Sequence, residues 1–230
     1  MIRALQAVVL DFDGVIANSE PLHLKAFQQA LEEEHVELTG EDYYTRYLGY
    51  DDVGVFEALA SDRGLPMNER HIAALVASKG MKLQQMLRSG ALLFPGAAEF
   101  IRTAAAAVPL AIASGALRHE IVETIESAGV GRLFEVIVAA GDTPQGKPSP
   151  APYLLAFERL RQQTGRSLQP NRCVAVEDSR WGLESAHAAG LRCVGVTTSY
   201  PARELAGAEL IVAGLSELTL PALERLCEHE

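Results

Sequence analysis

Two aspartates one residue apart, Asp11 and Asp13, close the apolar run Val8-Val9-Leu10 and are followed at once by Gly14. On a β-strand alternate side chains share a face, so both carboxylates can lie together where the strand stops. Gly14 then lets the backbone turn away without a side-chain clash. Acids paired at the mouth of a buried strand repel each other unless a cation or a proton sits between them. The pair therefore asks for a chemical reason, although Asp and Gly are also ordinary turn formers. A calcium loop is excluded. It needs glycine sixth and a carboxylate twelfth, whereas here glycine comes fourth and Leu22 twelfth.

Three later stretches repeat the pattern of an apolar run ending in polar groups: Ala113-Ser114-Gly115-Ala116, Gly141-Asp142 through Gly146-Lys147-Pro148, and Glu177-Asp178-Ser179. Singly, each has an ordinary reading. Ser114 reads as a helix cap, and equally, with Gly115, as an oxyanion or phosphate site. Lys147 reads as a solvated loop lysine and Glu177-Asp178 as a strand-end turn. Their conjunction points to phosphate chemistry. Asp11, Glu177 and Asp178 bring about three negative charges and Lys147 about one positive, with Asp13 able to hold a proton. Unit charges about 4 Å apart interact by roughly 4 kcal/mol at an effective dielectric near 20, so a phosphate dianion needs a further cation there. Oxygen-only ligands and a phosphorylated substrate favour Mg²⁺ over zinc.

The elements that must hold these groups form an alternating series. Strands are predicted at Val108–Ala113, Glu135–Ala139, Cys173–Val176, Cys193–Val196 and Leu210–Val212. Helical patterns lie between them at 97–107, 117–128, 151–163 and 182–189. Continuously apolar strands alternating with helices imply an α/β fold, a doubly wound and mostly parallel sheet covered on both faces. In such sheets ligands bind beyond the carboxyl ends of the strands, where the four polar stretches fall. The first strand has no short crossover helix behind it. Helical patterns at 20–34, 41–48, 51–60 and 68–88 follow instead, with Gly80 expected to bend or break the last. The expected organisation is a core of residues 1–16 and 93–230 with an inserted all-helical domain at 17–92.

Composition narrows the function class. A net charge of −10 with no basic run argues against nucleic-acid binding. It also means that an anionic substrate needs local positive charge. No apolar run is long enough to span a bilayer, so no membrane partner is expected. Early Arg3 and Gln6 make a poor secretory signal. Cys173, Cys193 and Cys227 are odd in number and widely spaced, with no zinc spacing, and read as reduced thiols of a cytoplasmic protein. Nothing such as a heptad seam demands association, and a monomer is expected.

With its residues assembled, the chain resembles the haloacid dehalogenase-like superfamily, in the subgroup with a helical cap inserted after the first motif. Within it, the β-phosphoglucomutase and phosphatase branch is the nearest likeness. The motifs appear in order as Asp11-Phe12-Asp13-Gly14-Val15, Ser114, Lys147-Pro148-Ser149-Pro150 and Glu177-Asp178-Ser179. The resemblance implies that Asp11 attacks phosphorus and forms an aspartyl-phosphate. It implies that Asp13 serves as general acid and then base while its backbone carbonyl meets Mg²⁺. Asp178 would ligate the metal, with Glu177 a ligand directly or through water. Ser114 and the Gly115 amide would hold phosphoryl oxygens, and Lys147 would neutralise charge. The cap would close over the site and set specificity.

Asp13 speaks against carbon–halogen and carbon–phosphorus cleavage, because relatives with those activities lack it. A phosphatase acting on a small phosphorylated metabolite is expected, with a sugar-phosphate mutase as the alternative and a non-catalytic binding protein as a third reading. His23 stands twelve residues after Asp11, where the mutases and many phosphatases of the branch carry a histidine. The mutases also carry a cap arginine shortly after a glycine, for a second phosphate. Here Leu48-Gly49-Tyr50 is followed by Asp51 and Asp52, which opposes a bisphosphate; Arg46, Lys79 or Lys82 would have to compensate. Trp181 reads as a packing residue, and Gly190 as a helix terminator.

Overall fold

The computed structural model describes residues 4–88 and 93–228, so Arg3 and the expected end of the helical block at residue 92 lie outside the described residues. The chain divides into two compact units, Met1–Asn18 with Ala91–Glu230, and Ser19–Gly90.

The first unit is built on strands β1 (Ala7–Leu10), β2 (Leu110–Ala113), β3 (Val136–Val138), β4 (Cys173–Glu177), β5 (Arg192–Val196) and β6 (Leu210–Val212). All pair in parallel, in the order β3-β2-β1-β4-β5-β6. The expected mostly parallel sheet is thus wholly parallel across these six strands. The chain winds outward from β1 through β2 and β3, then returns to the other side of β1 with β4. That reversal puts the topological switch point between β1 and β4, where Leu10 pairs with Val176.

Strand residues alternate between two cores, as a period of two requires. Val8, Leu10, Leu110, Ile112, Val174, Val176, Val194 and Val196 face one cluster, with Phe100 and Ile101 of α5 (Ala97–Ala105), Ile121 and Ile125 of α6 (Arg118–Ser127) and Leu223 of α9 (Leu220–Glu228). Ala7, Val9, Ala111, Ala113, Cys173, Ala175 and Cys193 face the other. On that face the strand residues are mostly small. The space is filled by the larger Tyr153, Phe157 and Leu160 of α7 (Ala151–Thr164) and Leu183 of α8 (Arg180–Ala188), a complementarity that close packing demands. Gly190, at φ +82°, follows α8 as the expected terminator. Trp181 is not a core residue. It is exposed, meets Tyr200 edge to face at 6.0 Å between centroids, and lies under the Arg180 guanidinium.

The helical unit comprises α1 (Glu20–Glu32), α2 (Gly40–Asp42) running into a π-helical turn at Tyr43–Tyr47, α3 (Asp52–Arg63) and α4 (Glu69–Arg88). The 41–48 segment is therefore not one α-helix; the wider turn carries both Tyr43 and Tyr47 into the interior. Gly80 does not break α4 either. It is exposed, with nothing near the position a side chain would take, so it costs about 1 kcal/mol against alanine, while buried Ile72, Leu75, Lys79 and Leu83 hold the helix.

Lys79 is buried in this unit, its ammonium 2.7 Å from Asp52 Oδ1, 3.0 Å from His23 Nδ1 and 4.7 Å from the Phe27 ring centroid. Beside it, Tyr43 donates to Glu20 at 2.7 Å. Since the ammonium can only donate, His23 accepts through Nδ1 and is neutral. Burial, and then the Lys79 charge, push its pKa down to about 3. In the unfolded chain His23 returns to about 6.5, so unfolding takes up a proton between those two values. The stability contribution is complete above about pH 6.5 and falls with acidification by roughly 1.4 kcal/mol per pH unit. Urea midpoints of the helical unit, read from α1 amide signals, are expected to fall more steeply from pH 6 to pH 4 in the wild type than in His23→Gln. Equal slopes would show that the ring is not held neutral.

Candidate active site

The groups picked out from the sequence converge on the carboxyl edge of the sheet. Asp11 directly follows β1, and its amide donates to the Val176 carbonyl of β4 at 3.0 Å. Asp11, Glu177 and Asp178 are buried, and one carboxylate oxygen from each lies within 4.8 Å of the others. Lys147 reaches them from the loop after β3, donating to Asp11 Oδ1 at 2.7 Å and to Glu177 Oε1 at 2.5 Å. It is no solvated loop lysine. Asp142 fixes that loop by accepting from Arg118 at 2.5 Å, Arg159 at 3.1 Å and the Ala139 amide at 3.3 Å.

Asp13 is half-buried beyond the acid cluster, and its charge acts on Asp11. Ser114 is buried at the end of β2, its amide donating to the Val138 carbonyl and its hydroxyl accepting from the Ala116 amide at 3.0 Å. The hydroxyl therefore closes a turn and does not cap a helix; the residue before α6 is Leu117. Gly115 is exposed beside it. His23, with its Lys79 partner, belongs to the helical unit.

Burial first, with the Glu177 charge contributing, pushes Asp11 up to about 7 although Lys147 opposes the shift. Asp178 is raised for the same reasons, against a hydrogen bond from Ser199. Burial works against the Lys147 charge too, but Asp11 and Glu177 outweigh it and hold the ammonium above the usual lysine range. With all three carboxylates ionised, one ammonium leaves two formal negative charges, the complement of a divalent ion.

The backbone is shaped to leave that cluster room. Gly14 has φ +76°, and a methyl group there would lie 1.8 Å from Asp178 Oδ2. A methyl on Gly182, in the first turn of α8, would lie 1.8 Å from the Glu177 carboxyl carbon. An all-oxygen donor set in a glycine-lined cradle fits Mg²⁺.

Several contributors escaped the sequence reading. Tyr153, in the first turn of α7, donates to Glu177 Oε1 at 2.8 Å and lies with its ring 5.1 Å from the Lys147 ammonium. Thr198 donates to the Gly14 carbonyl, and Ser199 to Asp178. A polar Thr197-Thr198-Ser199 after the fifth apolar run was the available signal. Gly182 and Tyr153 carried none, since each acts on a residue distant in the chain or folded back onto it.

Comparison with known proteins decides the family. The model of the haloacid dehalogenase-like hydrolases matches residues 5–190. The chain belongs to that family. It is 35% identical over 206 residues to the protein CbbY of Rhodobacter capsulatus, covering 85% of this chain and 87% of that one. It is 29% identical to a phosphorylated carbohydrates phosphatase of Thermotoga maritima, covering 94% and 95%. The crystal structure of CbbY from Rhodobacter sphaeroides in complex with phosphate superposes with a TM-score of 0.81 at 28% identity, covering 96% of this chain and 99% of that one. This member of the family is a phosphoric monoester hydrolase.

Two substitutions test how the cluster is held. Tyr153→Phe is expected to keep the fold and lower turnover about tenfold, because a hydrogen bond to a charged group is worth roughly 1.5–3 kcal/mol. Unchanged turnover would remove the phenol from the set that positions Glu177 and Lys147. Gly182→Ala is expected to displace Glu177, cut turnover more than about 100-fold and cost about 1–3 kcal/mol in a thermal melt. An active variant of wild-type stability would show that the carboxylate position is not critical.

Proposed function

We propose that the protein is a Mg²⁺-dependent phosphatase that hydrolyses a small phosphorylated metabolite through an aspartyl-phosphate on Asp11. The observation that carries this reading is the Lys147 bridge between Asp11 and Glu177, set in an acid cluster two charges short of neutral.

Asp11 acts as the carboxylate, the form favoured by Lys147. One of its oxygens attacks phosphorus, and a new O–P bond forms as the ester O–P bond breaks. Asp13, protonated at the outset, gives its proton to the leaving oxygen, so the alcohol departs neutral. The Asp13 carboxylate then takes a proton from a water whose oxygen attacks phosphorus, and the Asp11 O–P bond breaks as the new O–P bond forms. Inorganic phosphate leaves, Asp11 is regenerated and Asp13 is protonated again. Ser114 and the Gly115 amide hold the phosphoryl oxygens, and Lys147 offsets their charge.

Asp11, Asp178 and the Asp13 backbone carbonyl would hold Mg²⁺, which when bound supplies the neutralising charge that lets a dianion enter. Glu177 would add its charge to this set without ligating the ion directly. Lys147 and Tyr153 donate to its Oε1, and the Asp178 amide, Ser179 amide and Ser179 hydroxyl to its Oε2. Those five donors fill the roughly four lone-pair positions of a carboxylate.

The alternative mutase reading needs cations for a second phosphate, and the three that could supply them are engaged elsewhere. Arg46 pairs with Asp62, Lys79 with Asp52, and Lys82 with Glu33. Hydrolysis is therefore favoured over isomerisation. The helical unit takes the part of a specificity cap.

A panel of phosphate esters assayed for released phosphate tests the proposal. Wild type is expected to turn over at least one ester, to lose activity with EDTA and to regain it with Mg²⁺. Asp11→Asn should fall by more than about 1,000-fold, a loss of roughly 4 kcal/mol of transition-state stabilisation. Retained turnover in that variant would refute nucleophilic catalysis by Asp11. Conversion of a hexose 1-phosphate to its isomer, without phosphate release, would favour the mutase.

A further inference from the structure

A second group of metal-ligating side chains lies within the sheet unit, outside the carboxyl edge. His187 is in the last turn of α8, Cys193 is the second residue of β5, and Glu209 directly precedes β6. One donor atom from each lies within 4.8 Å of the others. Cys193 pairs with Ala175, two residues before Glu177 in β4, so this group sits deeper along the sheet than the Asp11 cluster. We propose that His187, Cys193 and Glu209 form a site for a borderline transition-metal ion of the Zn²⁺ class, distinct from the oxygen-ligand site for Mg²⁺.

Backbone pairing builds the site in advance. The Glu209 amide donates to the Cys193 carbonyl at 3.0 Å, and the Cys193 amide donates to Glu209 Oε2 at 2.7 Å. This two-way lock holds the carboxylate and the thiol in register. His187 Nε2 stands 3.2 Å from the same carboxylate oxygen. A tetrahedral zinc ion, with bonds of roughly 2.0–2.3 Å, sets its ligand atoms about 3.3–3.8 Å apart. The His187 and Glu209 donors, 3.2 Å apart, stand close to that spacing, and the thiol sulfur lies within 4.8 Å of both.

The chemistry of the donors selects the ion. Imidazole nitrogen, thiolate sulfur and carboxylate oxygen suit zinc and its neighbours and offer little to Mg²⁺. His187 and Glu209 are exposed while Cys193 is buried, so an ion enters from the solvent side and keeps a fourth position for water. Burial, and then the Glu209 charge, push the thiol pKa up, and Sγ lies 3.7 Å and 3.9 Å from the Leu191 and Leu183 carbonyls. Binding therefore exchanges the S–H bond for an S–metal bond and releases that proton to water. The Arg192 guanidinium, 3.7 Å from Glu209 Oε1, is the competing cation.

Cobalt(II) tests the site, because only a thiolate ligand produces a sulfur-to-cobalt charge-transfer band. Full-length protein held in excess Mg²⁺ is titrated with Co²⁺. One equivalent is expected to raise the band, Zn²⁺ to displace it, and Cys193→Ser to abolish it while leaving phosphatase activity with Mg²⁺ intact. His187→Ala, at an exposed position, should fold normally and weaken Co²⁺ binding at least tenfold. Absence of the band in folded wild type would overturn the proposal. So would a band that survives Cys193→Ser, which would place the ion on Cys173 or Cys227, or a His187→Ala variant that binds Co²⁺ as tightly as wild type. Failure of phosphatase turnover leaves this test unaffected, since the band is read without substrate.

Discussion

An ammonium held between carboxylates from two neighbouring strands orders the carboxyl edge of the sheet. Lys147 donates to Asp11 after β1 and to Glu177 at the end of β4, and burial of both carboxylates makes the bridge compulsory. A buried carboxylate without a partner is expensive, and removing one member of such a pair costs several kcal/mol. The bridge depends in turn on distant parts of the chain. Asp142 anchors the lysine loop, and Tyr153 occupies the second donor position on Glu177 Oε1. Parallel pairing brings the ends of β1 and β4 side by side. Only at the switch point does the chain deliver two such ends with connections leading away on opposite sides.

Satisfying Lys147 leaves the acids unsatisfied, and that imbalance separates a functional cluster from a structural one. Asp11 and Asp178 both rise above the usual carboxylate range, first through burial and then through the Glu177 charge, with Asp13 adding to the rise of Asp11 and Asp11 to that of Asp178. A structural ion pair would have been closed by a second lysine or arginine. Here the space next to Asp178 is kept by Gly14 and the space behind Glu177 by Gly182. The backbone thus preserves a charge deficit that a larger side chain would relieve by pushing the carboxylates apart. Stability is given up to keep like charges close together.

How much of this was legible in the sequence follows from the range of each interaction. Apolar runs ending in Asp11, Ser114 and Glu177-Asp178 located the sheet edge, because a buried parallel strand leaves a continuous apolar signature. Lys147 was visible only through its place in the series, and its ordinary reading as a solvated loop lysine fails. Tyr153 and Gly182 lay beyond local patterns: one packs across the sheet face, and the other makes room for a side chain five residues earlier. The π-helical turn at Tyr43–Tyr47 has the same apolar spacing as an α-helix over so short a stretch. Gly80 misled in the opposite direction, since tertiary packing along α4 overrode its low propensity. The grouping of His187, Cys193 and Glu209 is likewise spatial, with spacings in the chain that match no metal motif.

In a chain of net charge −10, Lys79 is buried and Lys147 half-buried, yet they solve different problems. Lys147 faces carboxylates that outnumber it three to one, and the excess leaves a cluster that could hold a metal ion. Lys79 faces Asp52 and a histidine kept neutral, with Glu20 turned to Tyr43, so its charge is spent within the helical unit. An acidic protein that binds an anion must concentrate its positive charge where the anion sits and cancel it elsewhere. Arg46, Lys79 and Lys82, each tied to a carboxylate, are cancelled in that way. At the sheet edge, Lys147 is the cation that directly meets the acid cluster.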